Sequence, residues 1–472
     1  MKMKEKKAIK VWQAFLPIIT VMFLGLMSVM KWKVGMVTPI IGSITVAVIL
    51  GMYMGYGWEE LQSSLVQGVS RALPALFIML VVGAIIGSWI AGGVIPTLIY
   101  YSLKMISPQI FIPAVAIVTA MIATATGTSF TSIATIGLSL MVTGLGMGFP
   151  APLLAGAIIS GAYFGDSISP LSDTTNLSSA MAGCQLFDVI KYLMFTGIPA
   201  FVIAVVGYYF VGLKFASQAV MDLGTIETIL SGLQSSFTIT PLLLLIPIIT
   251  IFLSIKQYPA IPSLVIIALL GGLAAIVFQG ADIATVLKSV TSGFKSQTEV
   301  SIVDNLLTRG GITSMGEVVI LLTIATSLGG ILEKIGALDS ILDFIMKKVK
   351  TNGELILVTV LSGLAVGFAT GAQLLAIVLP ARMFTKEYKK RNLHPKNLAR
   401  TAQSIGTICI NLVPWSVPCI FAKNILGVEP IEFIPYLFFP FAIIVIILFY
   451  GFAGISMVSL DEEDSKGQLQ TN

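Results

Sequence analysis

A chain of 472 residues that is 56% hydrophobic and only 11% charged, with a mean hydropathy of +0.96, lies far outside the composition of a soluble domain. Apolar stretches of the roughly 20 residues needed to cross a ~30 Å hydrocarbon layer recur along it with short polar gaps. That pattern excludes a soluble enzyme and a nucleic-acid-binding module, and it makes the lipid bilayer the constant partner of the chain.

The first ten residues carry five lysines ahead of an apolar run. No small-residue cleavage site follows, so the first helix reads as retained. Crossing helices are expected at 12–30, 36–55, 73–103, 150–177, 187–211, 241–255, 260–279, 317–345, 400–421 and 431–457. Two further regions, 109–146 and 354–381, are each divided by Ala-Thr-Gly, at Ala125-Thr126-Gly127 and Ala369-Thr370-Gly371. Each reads as a hairpin that dips into the membrane and returns. The expectation is therefore an all-α polytopic membrane protein with about ten transmembrane helices and two re-entrant hairpins.

The basic residues sort by loop. With the N-terminus inside, Lys2, Lys4, Lys6, Lys7, Lys10, Arg71, Lys256, Lys347, Lys348, Lys350, Lys466 and the basic stretch 382–400 fall on inner segments. The outer segments hold Lys31, Lys33, Lys104, Lys214, Lys288, Lys295 and Arg309. This bias follows the positive-inside rule and places both termini in the cytoplasm, so the net charge of +5 needs no anionic partner. Within the stretch, His394 reads as a solvated loop histidine. Glu333 and Lys334 read as a mutual pair or as snorkelling side chains. Cys184, Cys409 and Cys419 have no CxxC spacing and suggest neither disulfide nor zinc.

One offset of 244 residues aligns several landmarks. Ala125-Thr126-Gly127 falls on Ala369-Thr370-Gly371, Gly92 on Gly336, Ser160 on Ser404, Pro170 on Pro414, Ser172 on Ser416 and Gly183 on Gly427. Pro17-Ile18-Ile19-Thr20 also recurs as Pro247-Ile248-Ile249-Thr250 at a smaller offset, which an insertion near residues 299–316 would explain. Each unit holds five crossings and one hairpin, and an odd number of crossings inverts the second copy. The expected organisation is an N-terminal tail at 1–11, a first inverted repeat at 12–212, a linker at 213–240, a second inverted repeat at 241–457 and a C-terminal tail at 458–472. Secondary transporters share this plan, with sites near the midplane where broken helices of the two halves meet.

Charge at membrane depth costs at least about 2.5–3.5 kcal/mol per residue and marks function by default. Asp166 and Asp173 sit in Gly165-Asp166-Ser167-Ile168-Ser169-Pro170-Leu171-Ser172-Asp173-Thr174-Thr175-Asn176, where Gly165 and Pro170 are expected to interrupt the helix. Freed carbonyls, two carboxylates and the hydroxyls of Ser167, Ser169, Ser172, Thr174 and Thr175 form an oxygen-rich environment, which hard cations prefer. At the matched position the second unit has no carboxylate and offers Asn411, Pro414 and Ser416. The hairpin tips add Thr126, Thr128 and Ser129 on one side and Thr370 and Gln373 on the other. The candidate ion or substrate ligands are thus Asp166 and Asp173, both expected to hold Na+, with the hydroxyl and amide groups around them. Enzyme motifs such as HExxH, GxSxG and Walker A are absent, and the chain reads as no enzyme.

The Gly165–Asn176 motif closely resembles that of the NhaC-type Na+/H+ antiporters. Gly127-Thr128-Ser129 with Ile133-Ala134-Thr135-Ile136-Gly137, the approach Arg309-Gly310-Gly311-Ile312-Thr313-Ser314-Met315, and Pro414-Trp415 ahead of Gly427 are similar to that family as well. The resemblance implies a fold of the ion-transporter superfamily and Na+ export driven by inward H+ movement. Na+ and H+ are then cargo, and no cofactor is implied. Relatives in the family exchange malate and lactate, so a small carboxylate is the alternative cargo. Members usually carry Pro-Trp-Asn, whereas this chain has Pro414-Trp415-Ser416. The resemblance leaves the oligomeric state open, a homo-oligomer included.

Overall fold

The computed structural model describes residues 7–32, 34–105, 107–216, 223–256, 258–298, 300–346 and 349–460. Lys2, Lys4, Lys6, Lys33, Lys347, Lys348 and Lys466, which carried part of the orientation argument, lie outside the described residues, as do most of the two expected tails and part of the linker.

Among the described residues the structure is helical throughout. The first part comprises α1 (Val11–Leu26), α2 (Val37–Tyr53), α3 (Trp58–Ala91), α4 (Val94–Met105) and α5 (Phe111–Thr126). Then follow α6 (Ser129–Gly146), α7 (Ala151–Ile168), α8 (Asp173–Ala182), α9 (Leu186–Ala216), α10 (Leu223–Ser236) and α11 (Leu245–Ile255). The chain continues through α12 (Ala260–Gln279), α13 (Ile283–Ser292), α14 (Ser301–Leu307), α15 (Gly316–Lys334) and α16 (Ala337–Met346). It closes with α17 (Asn352–Thr370), α18 (Gln373–Lys390), α19 (Pro395–Leu412), α20 (Val417–Leu426), α21 (Pro430–Phe433) and α22 (Phe438–Ala453). Eight helices are long and apolar enough to cross a bilayer, or up to eleven if each sharply bent pair is one span. Large apolar side chains such as Phe77, Phe195, Phe210, Leu269, Val445 and Phe449 stand exposed on their outer faces, as lipid contact requires. The chain is an all-α polytopic membrane protein.

Several boundaries differ from expectation for local reasons. The span expected at 73–103 begins at Trp58 and breaks at Gly92-Gly93, because polar residues at 59–71 dilute the hydropathy of a helix that is nonetheless continuous. The expected span 317–345 breaks at Ile335-Gly336, with Gly336 at φ +68°. Gly165 does not interrupt α7, which runs on to Ile168. Its lack of a side chain serves packing instead: a Cβ there would meet the Ala120 carbonyl oxygen at 2.2 Å, as one at Gly161 would meet that of Ala116. Backbones of α5 and α7 touch through these glycines, the close approach that small residues permit in membranes. The same device joins α3 to α15, where Gly68 faces Thr326 and Gly330 faces Ser64.

The stretch expected as a basic loop is mostly helix. α18 extends to Lys390, and His394 caps α19, its Nδ1 accepting from the Lys396 N–H at 3.2 Å. Nor does Glu333 pair with Lys334. It bridges Arg71 at 2.5 Å and Arg382 at 3.0 Å, from helices distant in sequence.

Candidate functional site

Two helical hairpins and two broken helices meet at one place. In the first hairpin, α5 ends at Gly127, whose φ of +69° turns the chain, and Thr128 leads into α6. In the second, α17 ends at Gly371 with φ +64° and Ala372 leads into α18. Left-handed backbone of this kind is free for glycine and strained for other residues.

The broken helices follow the same logic. α7 stops at Ile168 and α8 starts after Ser172, whose hydroxyl accepts from the Thr175 N–H. α19 stops at Leu412 and α20 starts after Ser416, whose hydroxyl accepts from the Cys419 N–H. Pro170 and Pro414 lie in the gaps, where no intrahelical donor is missed. α8 and α20 both end in left-handed glycines, Gly183 and Gly427.

The close packing of Gly165 on Ala120 puts Asp166 beside the first hairpin tip. One oxygen of its carboxylate accepts from the Ser129 N–H at 3.1 Å and from the Ser129 hydroxyl at 2.7 Å. That N–H belongs to the first turn of α6, so the carboxylate sits at a helix N-terminus, where the backbone favours negative charge. Ser172 lines the same cavity as the carboxylate. Asp166 is 5% exposed, and among the described residues it is the only buried carboxylate.

What exposure remains opens into a cavity of about 370 Å³. Its wall includes Gly127 and Thr128 of the first tip, Ala372, Gln373 and Leu374 of the second, Asp166, Ser172, Asp173 and Thr174 of the first break, and Val417 of the second. Leu322 and Thr326 of α15 and Met79 of α3 close the side, and Arg71 stands at the margin. The N-termini of α6, α8, α18 and α20 all reach this wall. Asp173, the first residue of α8, is exposed into it. A second cavity, of about 420 Å³, lies on the other side of Gly127 and Asp173 and is lined by Thr126, Thr131, Asn176 and Ser263 among others.

The remaining predicted residues divide between lining and bracing. Ser169 donates to the Thr124 carbonyl at 2.8 Å and ties the first break to the first hairpin. The Asn176 side chain donates to the Pro170 and Ser172 carbonyls at the break. Thr175 donates to the Ser167 carbonyl, Thr126 bonds to the Ser132 hydroxyl, and Thr370 accepts from the Ala372 N–H in the second tip. Asn411 donates to the Thr407 and Ile408 carbonyls while its Oδ1 is buried without a donor. Sequence reasoning missed Arg71, Thr326 and Gln403. Gln403 donates to both Thr174 and Thr175 at 3.0 Å, and its signal was an amide on a buried helix.

This arrangement defines a multi-pass membrane transporter with one buried carboxylate at a shared cavity. The chain belongs to the Na+/H+ antiporter family, whose family model matches residues 4–197 and 161–455. It is 36% identical over 445 residues to the Na+/H+ antiporter NhaC of Alkalihalophilus pseudofirmus, covering 93% of this chain and 96% of that one. It is 37% identical over 409 residues to the malate-2H+/Na+-lactate antiporter of Bacillus subtilis, covering 87% of each. The arginine/ornithine antiporter ArcD of Halobacterium salinarum is 33% identical over 455 residues, covering 96% of this chain and 94% of that one. Among solved structures, MtrF of Neisseria gonorrhoeae, described with a class of antimetabolite efflux pumps, matches 84% of this chain and 85% of its own at 14% identity and a TM-score of 0.40. The three sequence relatives are named as antiporters, and antiport is the class of activity in which this chain falls.

Proposed function

We propose that the chain exports Na+ in exchange for H+, with Asp166 binding one or the other as the cavity is opened alternately to the two sides of the membrane. The observation that carries this reading is the one buried carboxylate among the described residues, at the junction of both hairpins and both breaks. A carboxylate that can be neutral with a proton or paired with Na+, but not both, couples the two fluxes by competition alone. Asp173, seven residues on and exposed into the same cavity, supplies a second anionic ligand, and Thr128, Ser172 and Thr174 supply neutral oxygens. The halves 12–212 and 241–457 are proposed to act as inverted repeats about this cavity with both termini cytoplasmic. The recurrence of the tip glycines, cap serines and end glycines at one offset supports that arrangement.

The decisive measurement is Na+ flux driven by a pH gradient in proteoliposomes. Asp166→Asn keeps the shape and removes the titratable group, so flux should fall to background while the protein still folds. Exchange at the wild-type rate would sink the assignment. By the same competition, raising the pH on the side that loads Na+ removes the competing proton, and the apparent affinity for Na+ there should rise.

A second reading rests on the size of the cavity. About 370 Å³ falls within the roughly 300–1,000 Å³ of small-molecule sites, and helix N-termini at its wall can hold an anion. Exchange of a small carboxylate coupled to Na+ and H+ fits these features and the similarity to the malate/lactate relative. Counterflow of labelled malate or lactate separates the two readings.

A further inference from the structure

A run of polar groups leads from the Asp166 site to residues that line neither cavity. Ser172, on the cavity wall with Asp166, shares a hydrogen bond of 2.9 Å with Thr174. Thr174 accepts from the Gln403 amide at 3.0 Å, as does Thr175. Beyond the amide the chain of bonds stops. Gln403 Oε1, Ser404 Oγ and Thr407 Oγ1 are buried oxygens of fully enclosed residues with no partner among the described residues. Each would cost about 1–3 kcal/mol if left unmade in the working protein, so three together call for an occupant.

The backbone at this place is also unusual. Residues Ser404–Ile408 form a π-helical segment in the middle of α19, a feature that occurs mostly at functional sites because it frees groups that an α-helix would pair. Gln403 and Thr407 are four residues apart, one turn along the same helix. Neither they nor Ser404 lines the 370 Å³ or the 420 Å³ cavity. A hydrated cation therefore has no opening toward them, whereas water needs only the two to four polar partners this column offers.

We propose that the proton reaches Asp166 from water held by Gln403, Ser404 and Thr407 in the π-helical segment, outside the cavity that admits Na+, and passes through the Thr174 and Ser172 hydroxyls at the cavity wall. The transfer is conservative. A protonated water in the column gives a proton to the Thr174 oxygen and is left as neutral water, Thr174 passes its own hydroxyl proton to Ser172, Ser172 passes its own to the Asp166 carboxylate, and both hydroxyls are restored. Gln403 is a positioning residue that fixes the two threonine hydroxyls and anchors the water. This proposal rests on Asp166 being the exchanging carboxylate.

The test uses the full-length protein in proteoliposomes and compares pH-driven Na+ flux with Na+/Na+ self-exchange, which moves no proton. Thr407→Val and Ser404→Ala should each lower the pH-driven flux about tenfold, the effect of one lost hydrogen-bonded position, and leave self-exchange near the wild-type rate. They should also change the ratio of rates in H2O and D2O, and Thr407→Ser should restore both. Equal loss of both fluxes would assign these residues a structural role and overturn the proposal, as would unchanged flux in both. Failure of the Asp166 reading is seen independently, as pH-driven exchange that survives Asp166→Asn.

Discussion

The two helix breaks are built alike and equipped differently. Each has a proline in the gap, a serine capping the next helix and a left-handed glycine at that helix's end, and each faces a glycine-turned hairpin tip. The first carries Asp166 and Asp173. At the corresponding positions the second has Ile410 and Val417, and its gap is filled by Trp415, which is buried and donates its indole N–H to the Phe368 carbonyl at 2.9 Å. A shared backbone scaffold thus says where a site can be, and on the proposed reading side-chain charge decides which half holds the ion.

The tip glycines should break this comparison most sharply. A Cβ on Gly127 would meet the Leu171 side chain at 2.5 Å and its backbone at 2.8 Å, whereas one on Gly371 would meet the Trp415 carbonyl at 3.1 Å. Both positions impose about 1–2 kcal/mol of left-handed strain on any other residue. Gly127→Ala should therefore cost more than Gly371→Ala in thermal stability, and Na+/H+ exchange should be lost in the first and only lowered in the second. Equal losses would mean that the halves contribute alike to the site.

The cap serines sharpen the comparison with a smaller effect. Ser172→Ala and Ser416→Ala each remove an N-cap, worth about 1 kcal/mol, so the two should shift the melting temperature similarly. Only Ser172 lines the cavity with Asp166, so only Ser172→Ala should weaken the apparent affinity for Na+. Ser416→Asn restores the residue usual in the family and keeps an N-capping group, and its stability should stay within about 0.5 kcal/mol of wild type. A large loss of stability on that substitution would show that the second gap has been repacked around the serine.

What could be read from the chain was local. Pro170 forces a break, the two Ala-Thr-Gly turns need glycine, and Asp166 stands out because carboxylates are expensive in lipid. What could not be read depends on partners far away in sequence. Gly165 breaks helices in isolation and packs them here, because Ala120 lies against it. Gln403 gains its role only because α8, 228 and 229 residues earlier, lies alongside it. The start of α3 at Trp58 escaped a hydropathy reading because Glu59, Glu60, Gln62, Gln67 and Arg71 lie on a helix that is only partly buried.

Glu333 gives the mildest test, at the margin of the cavity rather than between the breaks. Its carboxylate bridges Arg71 of α3 and Arg382 of α18, so it ties the second hairpin to a helix of the first half. The arginine side chains are 53% and 57% exposed and the glutamate 26%, and pairs so open to solvent contribute about 0–1 kcal/mol. Glu333→Gln should thus leave the melting temperature nearly unchanged. If the hairpin must part from α3 during the cycle, the same substitution removes a tie that opposes the motion, and the maximal exchange rate should rise modestly with no change in apparent affinity for Na+. High salt should shrink the difference between variant and wild type, since screening already weakens the bridge in the native protein. A change in affinity instead would place Glu333 among the ligands of the site, and the contrast between the two halves would then have to include a third carboxylate from the second.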